Sequence, residues 1–120
     1  LDFGTSYLLR QRLSVNKAKE LAFTGKIVHG PEAHALGLVN DVVPVDELDA
    51  TVADVVADIA AGPPIALASI KRQIDDAPSG SLARALEVEA LAQAVNVKTD
   101  DLREALIAYV ERRTPHFKGQ

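Results

Sequence analysis

The chain has 120 residues, enough for one domain. Apolar residues make up 48% and charged residues 25%, an ordinary globular balance, and a net charge of −4 argues against a nucleic-acid or anionic-membrane surface. With no cysteine there is no disulfide framework, thiolate chemistry or cysteine metal site, which fits a cytoplasmic location, and no apolar run reaches the roughly 18 residues of a membrane span.

Leu1-Asp2-Phe3 starts without an initiator Met, a basic segment or a signal-peptide pattern. It opens in mid-turn and reads as a chain whose earlier part is absent. Gly4-Thr5-Ser6 leads into a short helix over 7–13, with Thr5 or Ser6 as its cap. Ser14 caps a second helix over 15–23, whose apolar residues at 15, 18, 21 and 22 fall at helical spacing, and Gly25 is its left-handed stop. Residues 26–29 are short and β-branched and predict an extended piece or minimal strand. Gly30-Pro31-Glu32 starts a helix that Gly37 ends. Residues 38–43 predict another short extended piece.

Pro44 and Asp46 begin a longer helix, with Asp46 as cap. Over 47–61 its apolar residues at 48, 52, 55, 56, 59 and 60 make a single stripe, opposite Asp49, Asp54 and Asp58. Gly62-Pro63-Pro64 breaks it, and a helix over 65–75 follows. The cluster 77–80 is a turn. Ser81 caps a helix over 82–97, and Thr99 or Asp100 starts the last one, over 101–113, ended by Pro115. The tail 116–120 reads as irregular. The pattern predicts a mostly α chain of six or seven helices, without repeats. Its later helices have wide apolar faces but few bulky residues, as helices have that pack on another domain or subunit.

Candidate chemistry is sparse. Asp2, in an apolar turn bounded by glycine, suits an acid, base or nucleophile, or else caps the first helix. His29, His34 and His116 lack metal-ligand spacing. No serine has a hydrolase nucleophile setting and no glycine-rich phosphate loop occurs. Glu87 and Glu89, two apart on a helix, point to different faces and make no catalytic pair. Arg112, Arg113 and Lys118 form a basic cluster one turn beyond Tyr109. Cations there suit the helix dipole, and they also suit an anion such as a nucleotide phosphate, with Tyr109 stacking.

The ordered set of residues carries more than any one of them. Asp2-Phe3-Gly4-Thr5-Ser6, Leu8-Leu9-Arg10 and Ala18-Lys19-Glu20-Leu21-Ala22-Phe23-Thr24-Gly25 are followed by Glu32-Ala33, Gly37-Leu38-Val39-Asn40, Val42-Val43-Pro44 and Glu47-Leu48. Pro63-Pro64, Ala66-Leu67, Lys71, Leu86-Glu87, Glu89-Ala90, Asp100-Asp101 and the run Ala108-Tyr109-Val110-Glu111-Arg112-Arg113-Thr114-Pro115-His116-Phe117-Lys118-Gly119 complete the set. This succession resembles the C-terminal half of the enoyl-CoA hydratase/isomerase, or crotonase, superfamily. The resemblance covers essentially the whole chain. It departs at Leu13, where the family usually has Gly, and at Leu9, where it often has Pro.

The resemblance implies a protein about twice this length with an α/β ββα-spiral fold. The N-terminal half would hold the CoA thioester, the oxyanion hole and two catalytic glutamates, all upstream of Leu1. It implies that residues 1–45 are the end of the core and 46–120 a helical trimerisation region. No metal or organic cofactor is implied; the substrate is a coenzyme A thioester, and assemblies are trimers or hexamers. Water addition to a 2-enoyl-CoA, a lyase reaction of fatty acid metabolism, is the implied activity. The alternatives are an enoyl- or dienoyl-CoA isomerase using Asp2, or a non-catalytic helical fragment. Asp2 matches a turn that does chemistry in some members, and Tyr109 and Arg112 match positions close to the CoA nucleotide.

Overall fold

A computed structural model describes residues 1–120, which form two compact units, Leu1–Asp49 and Ala50–Gln120. All regular structure is helical. The division falls in the first turn of α4, whereas the family resemblance implies a boundary at 45/46.

The first unit holds α1 (Thr5–Arg12), α2 (Val15–Thr24) and α3 (Gly30–Ala35). The α1 helix starts earlier than its apolar pattern predicts, because Gly4 in the left-handed region (φ 79°) bends the chain directly into it. Neither Thr5 nor Ser6 caps it. The Thr5 hydroxyl instead donates to the Asp2 carbonyl at 2.6 Å. In α2 the expected cap forms: the Ser14 hydroxyl accepts from the Lys17 N–H at 3.3 Å, and Gly25 ends the helix at φ 61°. Leu13 sits between the two helices in ordinary extended geometry (φ −119°, ψ 156°) with its side chain buried. No glycine freedom is needed there. Leu13 and Leu21 form the apolar core of this unit.

Residues 26–29 and 38–43 form no strand. A strand needs a neighbouring edge for its N–H and C=O groups, and no strand in these 120 residues offers one. Local partners serve instead. The Lys26 N–H donates to the Thr24 hydroxyl, the Leu38 N–H to the Ala33 carbonyl and the Val42 N–H to the Asp41 carboxylate.

The second unit carries most of α4 (Leu48–Ala60), then α5 (Pro64–Asp76), α6 (Leu82–Asn96) and α7 (Asp100–Glu111). A 3-10 turn, Val45–Glu47, precedes α4 and includes Asp46, whose side chain does not cap it. Ser81 and Thr99 cap α6 and α7, accepting from the N–H groups of Arg84 and Leu102 at 3.2 Å each. Helices α5 and α6 pack on each other, and Ala108 of α7 is 1% exposed.

Beyond Leu13, Leu21 and Ala108 no apolar side chain is fully withdrawn from solvent. Val52, Val55, Val56 and Ile59 of α4, Leu82, Leu86, Leu91 and Val95 of α6, and Leu106 and Val110 of α7 all stand exposed. The α4 face is the stripe that the sequence pattern marks, and this chain does not cover any of these faces. No single helix is long and apolar enough to cross a membrane.

Candidate functional site

The C-terminal end of α7 is built from three local events. Glu111 is the last helical residue; the helix stops two residues earlier than its pattern predicts. Arg112 then turns left-handed (φ 54°). Its N–H reaches the Tyr109 carbonyl at 3.3 Å and the Arg113 N–H reaches the Ala108 carbonyl at 3.0 Å, which closes the last turn in a Schellman motif. The chain therefore reverses at Arg112 and runs back along α7.

This reversal sorts the predicted basic cluster. The Arg113 guanidinium forms a two-pronged ion pair with Glu104, at 2.5 and 2.9 Å, and its Nε donates to Glu111 at 2.6 Å. The Arg112 guanidinium makes no hydrogen bond and no ion pair. Tyr109 is 84% exposed one turn before it. Thus Tyr109 and Arg112 keep an open aromatic face and a free cation on one helix end, while Arg113 is neutralised.

The returning tail is held by two carboxylates on one face of α7, which sequence reasoning did not single out as functional. Glu104 accepts the His116 N–H at 2.9 Å. Asp101, 4% exposed, accepts the N–H groups of Lys118 at 2.7 Å and Gly119 at 2.9 Å. The Gln120 carbonyl accepts the Asp100 N–H at 2.7 Å, satisfying a donor that the helix leaves free. Pro115, Phe117 and Gly119 are more shielded than the exposed His116, Lys118 and Gln120, an alternation that marks an extended strap. Phe117 lines a cleft of about 210 Å³ with Pro63, Ile65, Ala66, Leu102 and Ala105. The signal in the sequence was the spacing of Asp101 and Glu104, three apart and so on one helical face.

The strap carries a pH dependence. The Arg113 guanidinium, then the His116 N–H, holds the Glu104 carboxyl down to about 2 from an ordinary 4.5. A carboxyl lowered by folding stabilises the folded form above its unfolded value and loses that contribution as pH falls through its folded value. Protection of the His116 amide from exchange should therefore fall between pH 4.5 and about 2. Glu104→Gln should abolish that step in amide exchange followed by NMR; a step that persists would assign it to another carboxyl.

Asp2 lies in the first unit, exposed. Its main-chain carbonyl accepts from the Thr5 N–H at 3.0 Å, but its carboxylate makes no hydrogen bond and no ion pair. Gly4, not Asp2, is the cap residue of α1, and no side chain caps that helix. The capping role open to Asp2 from its residue type is not taken. Phe3 beside it is left-handed (φ 51°) and 96% exposed, a strained conformation for a bulky residue.

No group of three His, Asp or Glu side chains is placed to hold a metal ion. Glu87 pairs with Arg84 on the surface of α6 at 2.7 Å. A cleft of about 720 Å³ lies between α5 and α6 and is lined by Ile74, Val88, Leu91 and Val95 together with Arg72 and Arg84. None of the candidate site residues lines it.

The helical arrangement has close structural counterparts. An enoyl-CoA hydratase from Bacillus anthracis matches with a TM-score of 0.91 at 35% identity, over 98% of this chain and 45% of that one. The class of protein is the crotonase fold, and this chain corresponds to its C-terminal helical part. The family model for enoyl-CoA hydratase/isomerase matches residues 1–120, and the chain belongs to that family. It is 38% identical over 121 residues to enoyl-CoA hydratase domain-containing protein 2, mitochondrial, from Homo sapiens, covering 98% of this chain and 41% of the relative. It is 30% identical to methylglutaconyl-CoA hydratase, mitochondrial, from Mus musculus, again over 98% of this chain and 38% of the relative. The chain spans less than half the length of these relatives.

Proposed function

We propose that this chain is the C-terminal portion of an enzyme that adds water to a 2-enoyl-CoA. In this reading two backbone N–H groups upstream of Leu1 polarise the thioester carbonyl and stabilise the enolate as it forms. Upstream glutamates activate the water and deliver the proton. The 120 residues supply two other things. Their apolar helix faces pack against the upstream half and neighbouring copies, in a trimer or hexamer. Their α7 end holds the nucleotide of CoA, with Arg112 on a phosphate and Tyr109 against the adenine.

The observation that carries the reading is the unpaired Arg112 beside the open Tyr109, within a family of CoA-ester hydratases and isomerases. A free guanidinium is suited to a phosphate because its planar fork donates two parallel hydrogen bonds. Arg112→Ala should weaken CoA-ester binding by about 1–2 kcal/mol, the worth of one charged hydrogen bond. Titration calorimetry showing unchanged affinity would take Arg112 out of the site. The reaction itself is tested by crotonyl-CoA hydration. Activity is expected once the upstream half is joined to this chain and absent without it.

A second reading rests on the unpartnered Asp2 carboxylate in its strained turn. It makes Asp2 the acid or base of an enoyl- or dienoyl-CoA isomerase. Asp2→Asn in the full-length protein distinguishes the two: isomerase activity would be lost in the second reading, while hydration would survive in the first.

A further inference from the structure

We propose that Glu104 is a positioning residue for the anion-binding end of α7: it withdraws Arg113 and pins the returning chain, so that Arg112 alone is presented to the ligand. The inference rests on the reading of Arg112 as a CoA contact.

Helices α3 and α7 end in the same hydrogen-bond pattern. In α3 the left-handed residue is Gly37 (φ 71°), whose N–H reaches the His34 carbonyl while the Leu38 N–H reaches the Ala33 carbonyl. In α7 the equivalent residue is Arg112. A glycine takes this conformation freely, whereas any residue with a Cβ pays a steric penalty. Such a conformation persists only where its surroundings over-determine it. Here the surroundings are Glu104. Its carboxylate grips Arg113 on one side of the reversal and the His116 N–H on the other, so the chain after Arg112 is fixed at two points.

The same carboxylate decides which arginine is free. Adjacent guanidiniums would compete for one phosphate. Glu104 and Glu111 together occupy Arg113, and neither reaches Arg112. Charge alone makes the opposite prediction. Deleting a carboxylate beside an anion site, and freeing a second cation, should tighten anion binding. The positioning role predicts weaker binding instead.

The test is a double-mutant cycle in the full-length protein that contains this chain, with CoA as the probe in titration calorimetry. Glu104→Gln should weaken CoA binding about tenfold, and Glu104→Gln combined with Arg112→Ala should bind no more weakly than Arg112→Ala alone. Arg113→Lys keeps the charge but not the two-pronged grip; it should weaken binding severalfold and serves if the Gln variant does not fold. Binding by Glu104→Gln that is unchanged or tighter overturns the positioning role, as do losses that multiply in the double variant. Unchanged affinity in Arg112→Ala alone overturns the CoA reading itself, a failure visible before the cycle is closed.

Discussion

Replacing Asp101 with Ala should cost about 2–4 kcal/mol of stability, because it removes both acceptors of a nearly buried carboxylate. Asp101 is 4% exposed and accepts the N–H groups of Lys118 and Gly119. Hydrogen bonds to a charged group are worth more than neutral ones, and two donors left without a partner add a desolvation penalty. Asp101→Asn keeps one acceptor but turns an amide N–H toward a backbone N–H, so it should fall between the two. Asp100→Ala is the control, since the Asp100 side chain is exposed and only its backbone N–H serves the tail. Urea unfolding compares the three. Equal midpoints for Asp101→Ala and Asp100→Ala would mean that the tail is not held by this carboxylate. Amide exchange should localise the change, with Lys118 and Gly119 losing protection and α2 keeping its own.

The second large effect is expected at Leu21. With Leu13 it makes up the buried apolar core of the first unit, at 8% exposure. Truncating a buried leucine to alanine removes its transfer energy and leaves a cavity, typically at a cost of about 2–4 kcal/mol. A core this small has few neighbours able to shift into the gap, which favours the upper part of that range. Leu21→Met keeps the volume and should cost under about 1.5 kcal/mol. A Leu21→Ala protein that melts with the parent would show that Leu21 is not a core residue of the assembled protein.

Much of the local chemistry was legible in the sequence, the caps at Thr5 or Ser6 and at Asp46 excepted, and chemistry at a distance was not. Ser14, Ser81 and Thr99 cap their helices as their residue types suggest, and Gly25 and Gly37 stop theirs, because each acts within one turn of itself. Arg112 could not be foreseen as a left-handed stop, since glycine is the residue that takes that geometry without strain. The pairing of Glu104 with Arg113 spans nine residues, and that of Asp101 with Lys118 and Gly119 spans 17 and 18. Nothing in a periodicity argument links positions so far apart. The minimal strand that was one reading of 26–29 did not form for a related reason: β-branched residues suggest a strand, but the partner that makes one is not local. The basic cluster beyond Tyr109 was legible in the residues themselves, and the family resemblance narrowed it to Tyr109 and Arg112. The carboxylates that shape their surroundings came only from the structure.

The strap also makes this protein sensitive to a single cut. A proteolytic cut after Phe117 would release at one stroke both donors to Asp101 and the carbonyl that serves the Asp100 N–H. A nearly buried carboxylate would be stranded and the Asp100 N–H at the start of α7 left without its acceptor, with only the Thr99 cap remaining. A preparation partly cut there would then be a mixture of molecules of unequal strength, and its broad melting curve would be a matter of one broken peptide bond rather than of the fold.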